Sequence, residues 1–221
     1  MLHENLNSFG DYAFVYQKKL QEFTVPANVV EFGTWSLYGT SATKLTIHKD
    51  VKTIGNQCFA SNKNLLNVEV NTPNLTGSRI FYDCNALKNI SFSSDTTQFP
   101  DYLLSSCKSL ISITIPEKVT SLGTECFNNC STLTSILIPE KVTTLGKGCF
   151  FGCVNLGDIT CLPTVAPTIG SEVFGNSSVN FTGIKASSKN IHLPSKAEGY
   201  DLGDWKDILS DIVGFTFNYD L

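Results

Sequence analysis

The feature that most constrains this chain is a passage that occurs twice, almost letter for letter. Ile115-Pro116-Glu117-Lys118-Val119-Thr120-Ser121-Leu122-Gly123 leads into Cys126-Phe127 and Cys130. A second copy starts 23 residues later: Ile138-Pro139-Glu140-Lys141-Val142-Thr143-Thr144-Leu145-Gly146, then Cys149-Phe150 and Cys153. A fixed period of this length is the signature of stacked coils, each of which buries its apolar side only against its neighbours.

The period extends in both directions from Phe127. The equivalent large apolar residue is Phe14, Leu37, Phe59, Phe81, Leu104, Phe127, Phe150 or Phe174. Four residues before it stands Gly10, Gly33, Gly55, Gly77, Gly123, Gly146 or Gly170, with Pro100 the single exception. A glycine at one fixed point of each coil marks either a turn with positive φ or a close approach of backbones. After the anchor comes an L-x-x-I-x-I pattern, as in Leu65/Val68/Val70 and Leu133/Ile136/Ile138. Its last positions alternate as a half-buried strand does.

The predicted fold is therefore a β-rich solenoid, a right-handed coil of about eight repeats of 22–24 residues with a parallel sheet and a C-terminal cap. At about 4.8 Å per strand it would be roughly 40 Å long.

Residues 1–190 form the expected solenoid and 191–221 the expected cap. Within these, 175–190 read as an excursion loop rich in Ser, Asn and Gly. Ile191–Pro194 reads as a strand, Tyr200–Leu209 as a short amphipathic helix carrying Trp205, and Gly214–Tyr219 as a closing strand. At the other end, Leu2, Leu6 and Phe9-Gly10 align with Ile115, Val119 and Leu122-Gly123, so the chain opens in mid-repeat. That phase leads us to expect a longer native protein, with any leader lost along with an upstream segment.

Net charge is −4 and charged residues make up only 16% of the chain. That balance argues against nucleic acid as a partner, since a nucleic-acid footprint needs a basic face. No apolar run reaches the roughly 18–20 residues of a membrane span, so no transmembrane segment is expected. The eight cysteines fall into columns. Cys84, Cys107, Cys130 and Cys153 share one slot with Gln17, Thr40, Asn62 and Ser177, a small polar slot at a turn. Cys58, Cys126 and Cys149 share another with Ala13, Ser36, Ile80, Leu103 and Val173, which is a buried slot, and Cys161 closes a strand. Reduced structural thiols are the expectation. A few disulfides stay open on distance alone, and a zinc site at Cys126, Cys130, Cys149 and Cys153 is disfavoured because column chemistry already explains those positions.

His3, His48 and His192 occupy unrelated positions, and His48 is expected to be a solvated turn residue. No nucleophile, phosphate-loop or paired-carboxylate motif emerges, so neither an enzyme nor a cofactor is expected. The outward face of the stacked strands is the expected binding surface: Glu22, Thr24, Lys44, Thr46, Asn67, Glu69, Asn89, Ser91, Ser112, Thr114, Ser135, Leu137, Asp158 and Thr160. Extended solenoid surfaces of this kind bind partners.

The pattern I-P-x-x-V-T-x-L-G-x-x-C-F-x-x-C-x-x-L-x-x-I-x-I resembles the repeat of BspA-like leucine-rich repeat proteins of the Treponema pallidum type. The likeness runs from residue 2 to about 174 and weakens at Pro73, Thr76, Thr96 and Pro100. The tail, from Ala166-Pro167 through Trp205, resembles the ends of such proteins from gut Bacteroidetes. The resemblance implies a cell-surface or secreted protein with adhesion to host proteins or other bacteria, and the expectation is a monomeric binding module that takes a protein or glycan ligand on host or neighbouring cells through the strand face. A structural spacer displaying an upstream domain is the alternative.

Overall fold

The computed structural model describes residues 6–175, 189–201, 205 and 215–221, and shows a parallel β-solenoid of about eight turns. Each turn contributes up to two strands. The longer ones are β2 (Glu22–Thr24), β4 (Lys44–Ile47), β6 (Asn67–Val70), β7 (Asn89–Phe92), β10 (Ser135–Ile138), β12 (Asp158–Cys161), β14 (Asn190–Leu193) and β15 (Thr216–Tyr219). The short ones are β1 (Ser8–Phe9), β3 (Glu31–Phe32), β5 (Thr53–Ile54), β8 (Gln98–Phe99), β9 (Ser121–Leu122), β11 (Thr144–Leu145) and β13 (Thr168–Ile169). Every pairing between them is parallel.

The anchor column fills the interior. From Leu37 to Phe174 all its members are buried, and Phe127, Phe150 and Phe174 stack with nearly parallel rings, their centroids 5.3 and 5.6 Å apart. The glycine column serves close approach. A Cβ on Gly33, Gly55, Gly77, Gly123, Gly146 or Gly170 would lie 2.4–2.6 Å from the backbone of the preceding coil, and none of these glycines has positive φ. The N–H groups of Gly33, Gly55, Gly123, Gly146 and Gly170 also carry coil-to-coil bonds, as in Gly146 N–H to Leu122 O at 2.8 Å.

Positive φ sits elsewhere, two residues before and two after the anchor. Tyr12, Trp35, Gln57, Arg79, Tyr102, Glu125, Gly148 and Glu172 fill the first of these columns. Tyr16, Gly39, Ser61, Asp83, Ser106, Asn129 and Gly152 fill the second. This turn face has its own ladder, in which alternate N–H groups donate to the next coil, for example Tyr102 to Thr124, Leu104 to Cys126 and Ser106 to Asn128.

Both sheets are interrupted where the repeat pattern weakens. On the short-strand side Thr76 Oγ1 takes over the ladder, accepting from Ile54 N–H and bonding Ile54 O, each at 2.9 Å. Pro100 lacks the N–H that glycine supplies in other coils, so pairing resumes only from β8 onward. On the long-strand side the strand expected over Ser112–Ile115 is absent. None of the backbone N–H or C=O groups of these four residues has a backbone partner among the described residues, so the face divides into β2-β4-β6-β7 and β10-β12-β14-β15.

At the C-terminal end, β14 and β15 continue the long-strand sheet in register with β12. Trp205 is buried against Phe174 and Tyr200 and donates to Pro167 O at 2.7 Å, while Tyr200 donates to Pro163 O at 3.0 Å. Most of the expected excursion loop (175–190) and most of the expected helix (Tyr200–Leu209) lie outside the described residues, as do His3 and the first residues of the chain.

Candidate binding surfaces

Alternation places the expected strand-face residues outward. Lys44, Asn67, Glu69, Asn89, Ser91, Ser112, Thr114, Ser135, Leu137 and Asp158 are exposed, and Thr46 and Thr160 are partly so. Glu22 and Thr24 lie in β2, in register with Lys44 and Thr46. Neighbours interact along the stack: Lys44 pairs with Glu69 at 3.6 Å, and Asn89 donates to Asn67 at 2.8 Å. The same face continues past Thr160 to His192, which is in register with it. Nδ1 of His192 lies 2.8 Å from Asp220 and Nε2 lies 3.4 Å from Asp158, so both ring nitrogens face a carboxylate. Single-residue inspection missed this extension; the alternation of Ile191 and Leu193 around His192 was the available signal. His48 differs from expectation too, since its Nε2 is buried without a hydrogen-bond partner among the described residues.

The missing strand opens a gap between β7 and Ser112–Ile115. One end is a hollow of about 290 Å³ lined by Asn67, Glu69, Asn89, Ser112 and Thr114. The other, about 560 Å³, is lined by Ile90, Phe92, Thr114, Ile115, Pro116 and Lys118 and is mainly apolar. Ile90, Phe92 and Ile113 are only half-buried here, whereas their counterparts Leu45, Val68, Ile136 and Ile159 are fully covered. Phe92 holds a position filled elsewhere by Ile47, Val70, Ile115, Ile138 or Cys161. A phenyl ring over-fills such a site, and over-filled sites shift backbone. In the same coil Thr96 replaces the buried valine of Val119 and Val142, and its hydroxyl has no partner among the described residues.

The turn face carries a second group of side chains that sequence reading did not single out. Tyr12 and Trp35 lie 6.1 Å apart, Trp35 stacks on Tyr38 at 4.2 Å, and Arg79 sits 3.8 Å over the Tyr102 ring. Farther along is a groove of about 490 Å³ between Tyr102 and Phe151, with Ser105, Glu125 and Asn128 on its lining. The signal was present: within a regular repeat, the columns flanking the anchor hold variable large aromatic and charged residues.

The cysteines occupy the slots read from their columns. Cys84, Cys107, Cys130 and Cys153 each donate to a carbonyl of the preceding coil, at 3.3, 3.4, 3.3 and 3.1 Å. Asn62 fills the same slot by donating to both Leu37 O and Phe59 O. All eight thiols are unpaired and buried, and burial raises the pKa of each above the ordinary thiol range. Among the described residues no group of three or more His, Cys, Asp or Glu is placed to hold a metal ion, and no helix is long and apolar enough to cross a membrane.

A parallel coil with one anchor, one close-packed glycine and one polar turn slot per turn defines a leucine-rich-repeat solenoid. The BspA-type leucine-rich repeat region matches in six copies, over residues 1–102 and 74–197, and the chain belongs to that family. No curated protein matches it. Among solved structures, a leucine-rich repeat protein from Bacteroides ovatus is similar at TM-score 0.78 and 24% identity, over 98% of this chain and 53% of its own. This chain thus spans about half the length of that relative. The pneumococcal vaccine antigen PcpA is similar at TM-score 0.53 and 15% identity, over 97% of this chain and 66% of its own. At these identities the likeness is one of fold.

Proposed function

We propose that this chain is a non-catalytic binding module, displayed at a cell surface or secreted, whose strand face takes an extended segment of a protein partner in the gap beside Ser112–Ile115. The observation that carries this is the unpaired backbone of those four residues next to the free edge of β7. An unpaired strand edge is a template for strand addition: main-chain bonds supply affinity and alternating side chains supply specificity. The apolar lining of Ile90, Phe92 and Ile113, with exposed Ile111 and Leu137 nearby, fits a segment with apolar residues at alternate positions. Family membership supports a binding role, and one fold neighbour is named as a vaccine antigen, in keeping with surface exposure. A spacer that only displays another domain has no use for a free backbone edge.

The test is selection from a displayed library of unstructured peptides against the purified chain, counter-screened with Thr114→Pro. The substitution removes an N–H that has no protein partner, so the fold should persist and peptide binding should fall at least tenfold. Enrichment of peptides that bind both proteins equally, or no enrichment at all, would sink the gap as a binding site and leave the spacer reading. Lys44→Glu and Glu69→Lys then show whether recognition extends over the charged coils.

A further inference from the structure

We infer that the groove on the turn face is a second binding site, for a neutral saccharide of one or two pyranose rings. Its walls are aromatic and its lining is polar. Tyr102, with Arg79 packed 3.8 Å over its ring, and half-buried Phe151 stand on either side of Ser105, Glu125 and Asn128. The volume of about 490 Å³ is that of a small-molecule cleft.

Two largely buried lining residues present polar atoms to the groove that make no hydrogen bond among the described residues. Ser105 is 2% exposed, and its hydroxyl has no hydrogen bond among the described residues. Asn128 is 8% exposed; its Oδ1 accepts from Asn129 Nδ2 at 2.5 Å, while its own amide N–H groups find no acceptor there. Neither group is sealed from the groove, so the amide N–H groups and the hydroxyl are open to bond a ligand there. Glu125 adds a carboxylate with no ion pair among the described residues, suited to accept from vicinal hydroxyls.

The choice of ligand follows from charge and from backbone. Arg79 and Lys147 are balanced by Glu125 and Glu172, with Lys147 and Glu172 3.8 Å apart, so the groove favours a neutral molecule. A peptide strand is disfavoured because the local N–H groups are committed: Tyr102, Leu104 and Ser106 donate to the next coil, as do Glu125, Phe127 and Asn129. Recognition is left to side chains around one pocket. A pyranose offers what they match, a hydroxyl rim for the amide, hydroxyl and carboxylate and a C–H face for the rings. The lining is too polar for a lipid chain. This inference is independent of the strand-face reading.

The experiment is a glycan array carrying neutral hexose and N-acetylhexosamine oligosaccharides beside sialylated and uronate-containing ones, followed by calorimetric titration of the best neutral hit. Binding to neutral members is expected, with at least tenfold weakening in Tyr102→Ala and in Glu125→Gln and none in Thr114→Pro. Glu125→Gln keeps the shape of a partly exposed side chain, so it remains informative if Tyr102→Ala fails to fold. No neutral glycan bound, acidic glycans preferred, or a neutral hit indifferent to Glu125→Gln would each overturn the assignment.

Discussion

A Cβ placed on Gly146 would lie 2.4 Å from the backbone nitrogen of Thr124, one coil earlier. The atom it meets is main chain and cannot rotate away, so the coils themselves would have to separate. Gly146→Ala should therefore destabilise at the upper end of over-packing effects, about 3 kcal/mol. Gly148 has φ of 58°, and its added Cβ would meet the flexible Cγ of Glu125 at 3.2 Å and Phe151 Cβ at an ordinary 3.6 Å. Gly148→Ala should cost only on the order of 1 kcal/mol, the ordinary strain of a left-handed residue. Urea unfolding of the two variants side by side measures the difference. Equal costs would mean that the glycine column serves conformation and not coil spacing.

The regular parts of the fold were legible because each is a column. Anchor, inward strand residues and cysteine slots recur at a fixed offset, and a recurring offset in a coil is a position in space. What could not be read from one coil was the sheet break. Ser112-Ile113-Thr114-Ile115 matches Ser135-Ile136-Leu137-Ile138 in pattern, yet only the second forms a strand. We trace the difference to the coil before it, where Phe92 over-fills a position held elsewhere by aliphatic residues, and so to packing between repeats. The turn-face columns were hidden for another reason. Their left-handed backbone is filled by Tyr, Trp, Arg and Glu where glycine would have announced it, the strain being held by the ladder to the next coil.

Burial of the thiols makes stability depend on alkaline pH. The pKa values of Cys58, Cys84, Cys130 and Cys161 are raised from 9.0 to about 12, chiefly by desolvation. A group whose folded pKa is raised keeps its full stabilisation below the unfolded pKa and loses it as pH climbs toward the folded one. The window is pH 9 to 12, where the unfolded chain releases protons that the folded chain retains. Each such thiol should contribute a loss of roughly 1.4 kcal/mol per pH unit above 9. Melting temperature should be flat near neutrality and fall beyond pH 9, and Cys161→Val should make the fall shallower. An unchanged slope in that variant would show that the thiol titrates freely in the folded state.

The same burial sets thiol reactivity, since the thiolate is the reactive form. With every cysteine unpaired and buried, an aromatic disulfide reagent at neutral pH should modify none rapidly in the native protein and all eight after denaturation without reductant. A denatured count of six or fewer would mean that disulfides join neighbouring coils.

Within the polar slot, Cys130 donates a single weak S–H bond to Leu104 O at 3.3 Å, whereas Asn62 donates two N–H bonds from the equivalent position. Cys130→Asn should thus be neutral or stabilising, while Cys130→Ala should lose about 1 kcal/mol with the S–H bond, Leu104 O keeping only its bond from Cys107 N–H at 3.1 Å. Thermal unfolding ranks the three proteins. A destabilised asparagine variant would show that the central coils are packed too closely for the slot's polar form.

Thr96 is the clearest place where the chain departs from its own rule. It is fully buried in the column of Val119 and Val142, and its hydroxyl has no partner among the described residues. Valine has the same shape without the hydroxyl, so Thr96→Val should stabilise by about 1–2 kcal/mol, the cost of an unsatisfied buried polar group. Adjacent Phe92 gives a contrast. Phe92→Ile restores the aliphatic column and should let Ser112–Ile115 draw in against β7, closing the gap. Hydrogen exchange reads this out: amide protection at residues 112–115 should rise in Phe92→Ile and stay unchanged in Thr96→Val. Protection that rises in neither would place the cause of the break outside coil four, and protection already high in the unmodified protein would mean that these amides are paired after all. If the gap closes, peptide binding should be lost along with it while saccharide binding persists, because the groove between Tyr102 and Phe151 shares no residue with Phe92 or Thr96.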